Sequence, residues 1–199
     1  MSEDRTAFVI ADVAGKGLGA ALVTTMLQGS LAGVTLGADP LRVFQHVNDF
    51  LCDHSEVGRY ATVFFGILDR AGNLEYLNAG HPSPLVVRRG EVKELFQEGS
   101  FPVGLIPEAT FSLAHATLEP GDTLVLFSDG VTEAADTKDQ LFGVPRLSEA
   151  VAGQSDAPLA DLQKKVVDAV GTFARGASQA DDITLLLIRY LAIAQGAAL

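Results

Sequence analysis

The spacing of hydrophobic positions changes twice in the first third of the chain. Ala7-Phe8-Val9-Ile10-Ala11 is a continuous apolar run of strand length, with a β-branched and aromatic centre. From Leu18, apolar residues recur at three- and four-residue spacing (Leu22, Val23, Met26, Leu27, Leu31). This predicts a helix reaching to about Leu36, weakened at its far end by Gly29 and Gly33. Asp39 reads as an N-cap with Pro40 at the first helical position. Leu41, Phe44, Val47, Phe50 and Leu51 then make one apolar stripe to about Asp53. Strands are predicted at 60–68, 74–78, 85–88, 92–96, 111–118 and 123–128, separated by Asp/Gly/Asn, Gly/Pro and Glu-Pro-Gly-Asp turn signals. A short helix near 144–152 follows, then one at 158–175 with Leu159, Leu162, Val166, Ala169, Val170 and Phe173 on one face, and a last strand at 183–188. Helices at both ends of a run of antiparallel hairpins predict an α+β protein with sheet and helices in separate layers. No linker or repeat interrupts the pattern. We expect one domain over 1–191 and a C-terminal tail at 192–199.

Composition narrows the partners. The 199 residues suffice for one sizeable core, and 48% of them are hydrophobic. The net charge of −11 excludes a phosphate-backbone reader, which needs a basic face, and suits a protein that holds cations. A single cysteine, Cys52, allows no internal disulfide, so a reducing, cytoplasmic location is expected. The charged start, Met1-Ser2-Glu3-Asp4-Arg5, is not a signal peptide. The apolar run from Ile183 to Ala194 contains Arg189 and is too short to span a bilayer, so no membrane insertion is expected. Cys52 and His46 read as packing or surface residues of their helix.

Three predicted strands carry acids at or beside an end. Asp12 follows the first apolar run and precedes glycines at 15, 17 and 19. Asp129-Gly130 ends Leu124-Val125-Leu126-Phe127-Ser128, and Asp181-Asp182 precede the last strand. Each alone reads simply as a capping or turn acid. Strand ends can meet in space, however, and carboxylates that meet need a cation or raise one another's pKa. All-oxygen donors suit magnesium or manganese rather than zinc.

Four motifs in order carry a resemblance. They are Asp12-Val13-Ala14-Gly15-Lys16-Gly17 with Ala20-Ala21, Asn78-Ala79-Gly80-His81-Pro82, Ser128-Asp129-Gly130-Val131-Thr132-Glu133, and Asp181-Asp182-Ile183-Thr184. From Phe8 to Arg189 the chain resembles the metal-dependent (type 2C) serine/threonine protein phosphatases. Among these it resembles the bacterial branch of sporulation stage II protein E and the sigma-factor-regulating phosphatases. The resemblance implies an antiparallel β-sandwich flanked by helices on both faces, and a two-metal site for Mn2+ or Mg2+. It implies Asp12 as the acid that bridges both metals, the Val13 carbonyl in support, Asp129 and Asp181 as further ligands, and Asp182 as an auxiliary. Lys16 could meet a phosphate oxygen. His81 reads more readily as a hydrogen-bonding residue of its loop than as a general acid, and Thr184 as bonding locally beside the acids. The implied reaction is hydrolysis of phosphoserine or phosphothreonine on a regulatory protein, such as an anti-sigma-factor antagonist, by a metal-bridged water. An upstream sensor or receiver module is expected in the parent protein.

The chain also departs from that family. Its members carry an acidic motif, roughly Gly-Asp-(Tyr/Phe)-Tyr-Asp, on a strand before the Asp12 strand, and none stands among the eleven residues preceding Asp12. An N-terminally shortened form is expected, with one carboxylate fewer and an unpartnered sheet edge that favours association and leaves a homodimer open. The alternative function is a catalytically impaired phosphatase-like domain acting as a protein-binding or regulatory module. Other phosphatase and nucleotidase classes fail on spacing. Cys52 and Arg59 have six residues between them rather than five, Gly15-Lys16-Gly17 lacks the phosphate-loop spacing and hydroxyl, and neither Asp12 nor Asp129 is followed two residues later by an acid.

Overall fold

The computed structural model describes residues 4–35, 37–54, 59–95, 100–179 and 181–191. The expected helix end at Leu36, the strand end at Phe96, the loop start at Gly99, Ala180 and the tail 192–199 lie outside them. In chain order the elements are β1 (Arg5–Val13), α1 (Leu18–Thr35), α2 (Pro40–His54), β2 (Ala61–Asp69), β3 (Asn73–Ala79), β4 (Leu85–Arg88), β5 (Glu91–Glu94), β6 (Ala114–Thr117), β7 (Thr123–Phe127), α3 (Asp129–Thr132), α4 (Gly143–Val151), α5 (Leu159–Phe173) and β8 (Leu185–Arg189). They form two compact units, residues 1–81 with 97–117 and residues 82–96 with 118–199.

The first unit holds an antiparallel sheet in the order β1-β2-β3-β6. All nine residues of β1 pair with β2, from Arg5 opposite Asp69 to Val13 opposite Ala61. The apolar run therefore continues as strand beyond Ala11, and Asp12 sits inside the ladder. Odd positions of β2 (Ala61, Val63, Phe65, Ile67) turn to a core shared with Val23, Leu27, Leu31 and Val34 of α1 and Phe44, Val47 and Leu51 of α2. On the other face Phe64 stacks between Phe8 and Tyr76, with ring centroids 6.4 and 5.4 Å away. Two expected core positions are exposed instead. Leu22 is 62% exposed because the buried stripe of α1 runs through 23, 27, 31 and 34, and Phe50 is 44% exposed and stacks on His54. On α2 the place next to Val47 goes to a polar residue, Asn48, which is fully buried. Its amide donates to the carbonyl oxygens of Ile106 and Pro107 and accepts the N–H of Gly104 at 2.8 Å. One side chain thus ties three backbone groups of the 104–107 loop to α2, while the Leu105 N–H bonds the Pro102 carbonyl and the Ile106 carbonyl also accepts the Ala109 N–H. Asp39 caps α2 as expected, accepting from the N–H of Leu41 at 3.0 Å. The strand expected at 111–118 is reduced to β6, since β3 offers it only Asn73–Tyr76 as partners.

The second unit holds the sheet β5-β4-β7-β8, also antiparallel. One face packs Leu85 and Val87 of β4 and Val125 and Phe127 of β7 against Leu147 and Val151 of α4 and Leu162, Val166 and Val170 of α5. The apolar face predicted for α5 is the face that is buried. The Glu119–Asp122 turn closes with an N–H to carbonyl bond of 2.9 Å. Beneath it the Asp122 carboxylate is buried and accepts from the Arg88 guanidinium and from the N–H of Glu119. That hydrogen bond pushes the Arg88 pKa up. Among the described residues no helix is long and apolar enough to cross a membrane.

Two predictions test these accounts. Asn48→Leu removes the partner of the Gly104 N–H and the Pro107 carbonyl, and urea unfolding is expected to show a loss of roughly 1–3 kcal/mol. An unchanged midpoint would remove Asn48 as the loop's anchor. In the β2–β3 turn, the Asn73 side-chain amide, with the N–H groups of Asn73 and Ala71, holds the Asp69 carboxyl below the usual carboxylate range. A depressed folded pKa contributes stability above the unfolded value of about 3.9 and loses it as pH falls through the folded value. The thermal midpoint of the wild type should therefore exceed that of Asp69→Ala at neutral pH, and the gap should narrow on acidification below that range.

Candidate metal centre

In the second unit, β7 ends at Phe127 and the chain turns at once into α3, with Ser128 as the N-cap residue and Asp129 first in the helix. Ser128 is 4% exposed. Its hydroxyl donates to the carbonyl oxygen of Asp182 at 2.9 Å and accepts the N–H of Thr184 at 2.9 Å, while its own N–H bonds the Thr184 carbonyl at 3.0 Å. These bonds extend the β7–β8 ladder past its last pair, Phe127 with Leu185. They bring the 181–184 segment against α3, so that Asp129 and Asp181 each offer a carboxylate oxygen within 4.8 Å of the other. Gly130 makes the approach possible, because a Cβ there would collide with the Asp182 carbonyl oxygen.

The two acids are held differently. Asp181 is exposed; its Oδ1 accepts the N–H of Asp182 at 2.8 Å, and its carbonyl accepts from the Gln179 amide. Asp129 is partly buried, and its Oδ1 is buried without a hydrogen-bond partner among the described residues. A carboxylate oxygen so placed is costly unless a cation takes it. Hard oxygen donors with one such orphaned atom fit Mg2+ or Mn2+. Asp182 contributes a backbone carbonyl to the Ser128 hydroxyl, and its side chain is exposed. A cavity of about 420 Å³ borders Asp181 and Gly130 in the same unit, walled by small residues (Ala134, Ala174, Ala177) with Glu133 and Arg175 also lining it.

The remaining candidates belong to the first unit. Asp12 is partly buried and lies opposite Thr62 of β2, and Val13 lies opposite Ala61. The ladder continues one step further through the Ala14 N–H to the Tyr60 carbonyl at 2.9 Å. Lys16 is exposed in the turn between Gly15 and Gly17. His81 is buried, 4% exposed, and its Nδ1 lies 2.9 Å from the Thr62 hydroxyl. Cys52 is half-buried on α2; burial, then Asp49, Asp53 and Glu108, pushes its thiol pKa up, which disfavours a nucleophilic thiolate. Sequence reasoning missed the parts played by Ser128 and Thr62. Ser128 stood in a quoted motif, whereas Thr62 carried no signal beyond being the lone hydroxyl of an apolar strand.

Known proteins resemble this chain in sequence and fold. The family model for stage II sporulation protein E (SpoIIE) matches residues 2–191. Protein IcfG of Synechocystis is 28% identical, the match covering 94% of this chain and 34% of that protein. Phosphoserine phosphatase RsbP of Bacillus subtilis is 25% identical, covering 94% and 46%. The chain thus spans about a third to a half of the length of these relatives. The solved SiaA PP2C domain of Pseudomonas aeruginosa has the same fold, with a TM-score of 0.81 at 22% identity over 96% of this chain and 78% of that one. The chain belongs to the stage II sporulation protein E family of type 2C phosphatases.

Proposed function

We propose that residues 1–191 act as one metal-dependent domain that removes phosphate from phosphoserine or phosphothreonine on a regulatory protein. The single observation that carries the reading is the buried, unpartnered Oδ1 of Asp129 beside Asp181, in a chain of a metal-dependent phosphatase family. Asp12, Asp129 and Asp181 would hold two ions, Mn2+ or Mg2+, with the Val13 carbonyl and Asp182 in support. Bound there, the ions supply an acidified water and positive charge for the phosphoryl group. The chain's own residues do the rest. Ser128 and Gly130 fix Asp129 against the 181–184 segment, Lys16 reaches a phosphate oxygen from its glycine turn, and the cavity beside Asp181 takes substrate chain. The relative named as a phosphoserine phosphatase supports the substrate class. An anti-sigma-factor antagonist fits the family branch as substrate. The greater length of the relatives leaves room for the expected upstream sensor or receiver module. The place of β1 at an edge of its sheet supports a homodimer. The charge of −11 and the lone cysteine support a cytoplasmic protein that avoids nucleic acid.

Hydrolysis of p-nitrophenyl phosphate tests the chemistry. Turnover is expected with Mn2+ and not with chelator. Asp129→Asn should lower it by about a hundredfold or more, at or beyond what loss of an outer partner costs a metal site. Turnover that ignores chelator, or an undiminished Asp129→Asn rate, would sink the proposal, and no turnover with any metal would favour the binding-module reading. Gly130→Ala should push the Asp182 carbonyl away and weaken Mn2+ activation, read as a rise in the Mn2+ concentration giving half-maximal rate.

A further inference from the structure

In the β1–β2 ladder Asp12 faces Thr62 across the strand pair. Directly opposed residues of an antiparallel pair share a face, with Cβ atoms about 4.5–5.5 Å apart. The Thr62 side chain is therefore an immediate neighbour of the Asp12 side chain, and Thr62 in turn bonds the His81 ring at 2.9 Å. The chain from 78 to 81 is built to hold that ring. The Asn78 amide brackets the residue, accepting the His81 N–H at 2.8 Å and donating to the His81 carbonyl at 2.9 Å. Gly80 turns with φ of +71°, bridges to Val63 beside Thr62, and passes so near Pro102 that a Cβ would lie 2.6 Å from its ring. Packing alone asks for none of this. The other interior positions of β2, from Ala61 to Ile67, are apolar or glycine, and valine would fill the space of Thr62.

We propose that His81, acting through Thr62, is a positioning residue for the Asp12 carboxylate. The ring fixes the Thr62 rotamer, so Asp12 faces a set hydroxyl rather than a rotating one, and its carboxylate is held in one orientation. Partners behind a ligand commonly set metal affinity in this way. The inference rests on the reading of Asp12 as a metal ligand.

Calorimetric titration of the whole chain with Mn2+ tests it, with thermal midpoints measured alongside. Thr62→Val and His81→Phe are each expected to weaken Mn2+ binding about tenfold or more. Because they break one link, the double variant should bind no worse than either single variant. His81→Asn, whose amide group takes the place of Nδ1, should recover most of the affinity. Wild-type affinity in Thr62→Val, or losses that add in the double variant, would overturn the inference even if midpoints fall. Thr62→Val decides alone if His81→Phe does not fold. A wild-type chain that takes up no Mn2+ overturns the metal reading and this inference together.

Discussion

A buried carboxylate oxygen that has no hydrogen-bond partner of its own must be aimed at a cation by the backbone around it. Asp129 meets that constraint. Its Oδ1 is buried and unpartnered, while the residue before it, Ser128, makes three hydrogen bonds to the 182–184 segment. The polar cost of the site is thereby concentrated on one atom, and the rigidity is supplied next door. The helices α4 and α5 matter to the site because they bury the sheet whose strand ends carry Ser128 and Thr184.

The first unit solves a related problem with a longer ladder. Nine consecutive pairs hold β1 to β2, so the place of Asp12 in the sheet is set by register. A one-residue slip would turn every side chain of β1 to the opposite face, and the burial of Ile10 with the stacking of Phe8 on Phe64 opposes such a slip. Polar groups in this unit are satisfied one by one: Asn48 for the 104–107 loop, Asn78 for the His81 peptide, Asp69 for the β2–β3 turn. Each is a single side chain serving several backbone donors or acceptors at once.

Family membership and this geometry bear on different questions. The family match carries the reaction class. The geometry carries the division of labour within the motifs, where neighbours do unlike work. In the last motif Asp181 offers a carboxylate, Asp182 a carbonyl, and Thr184 both of its backbone groups. In the motif at 128–133, serine and glycine flank the acid for opposite reasons, one to bond and the other to leave room.

Local physics made much of this legible in the sequence. Periodicity marked the buried faces of α2 and α5, the Asp39-Pro40 cap marked the start of α2, and Asp69-Arg70-Ala71-Gly72-Asn73 and Glu119-Pro120-Gly121-Asp122 marked turns, because each depends on residues within a few positions of one another. The four motifs made the family legible for a different reason, since their order and spacing are specific together. Tertiary structure alone decided the rest. Leu22 and Phe50 lie beside their stripes and were left in solvent, because which neighbour a helix rotates inward depends on the sheet it meets. Asn48 was drawn into the core because a loop more than fifty residues away needed its amide. Thr62 became a neighbour of Asp12 only through strand register, and Ser128 a clamp only through pairing with β8. Such roles rest on partners remote in the chain, and no local pattern of residue types records them.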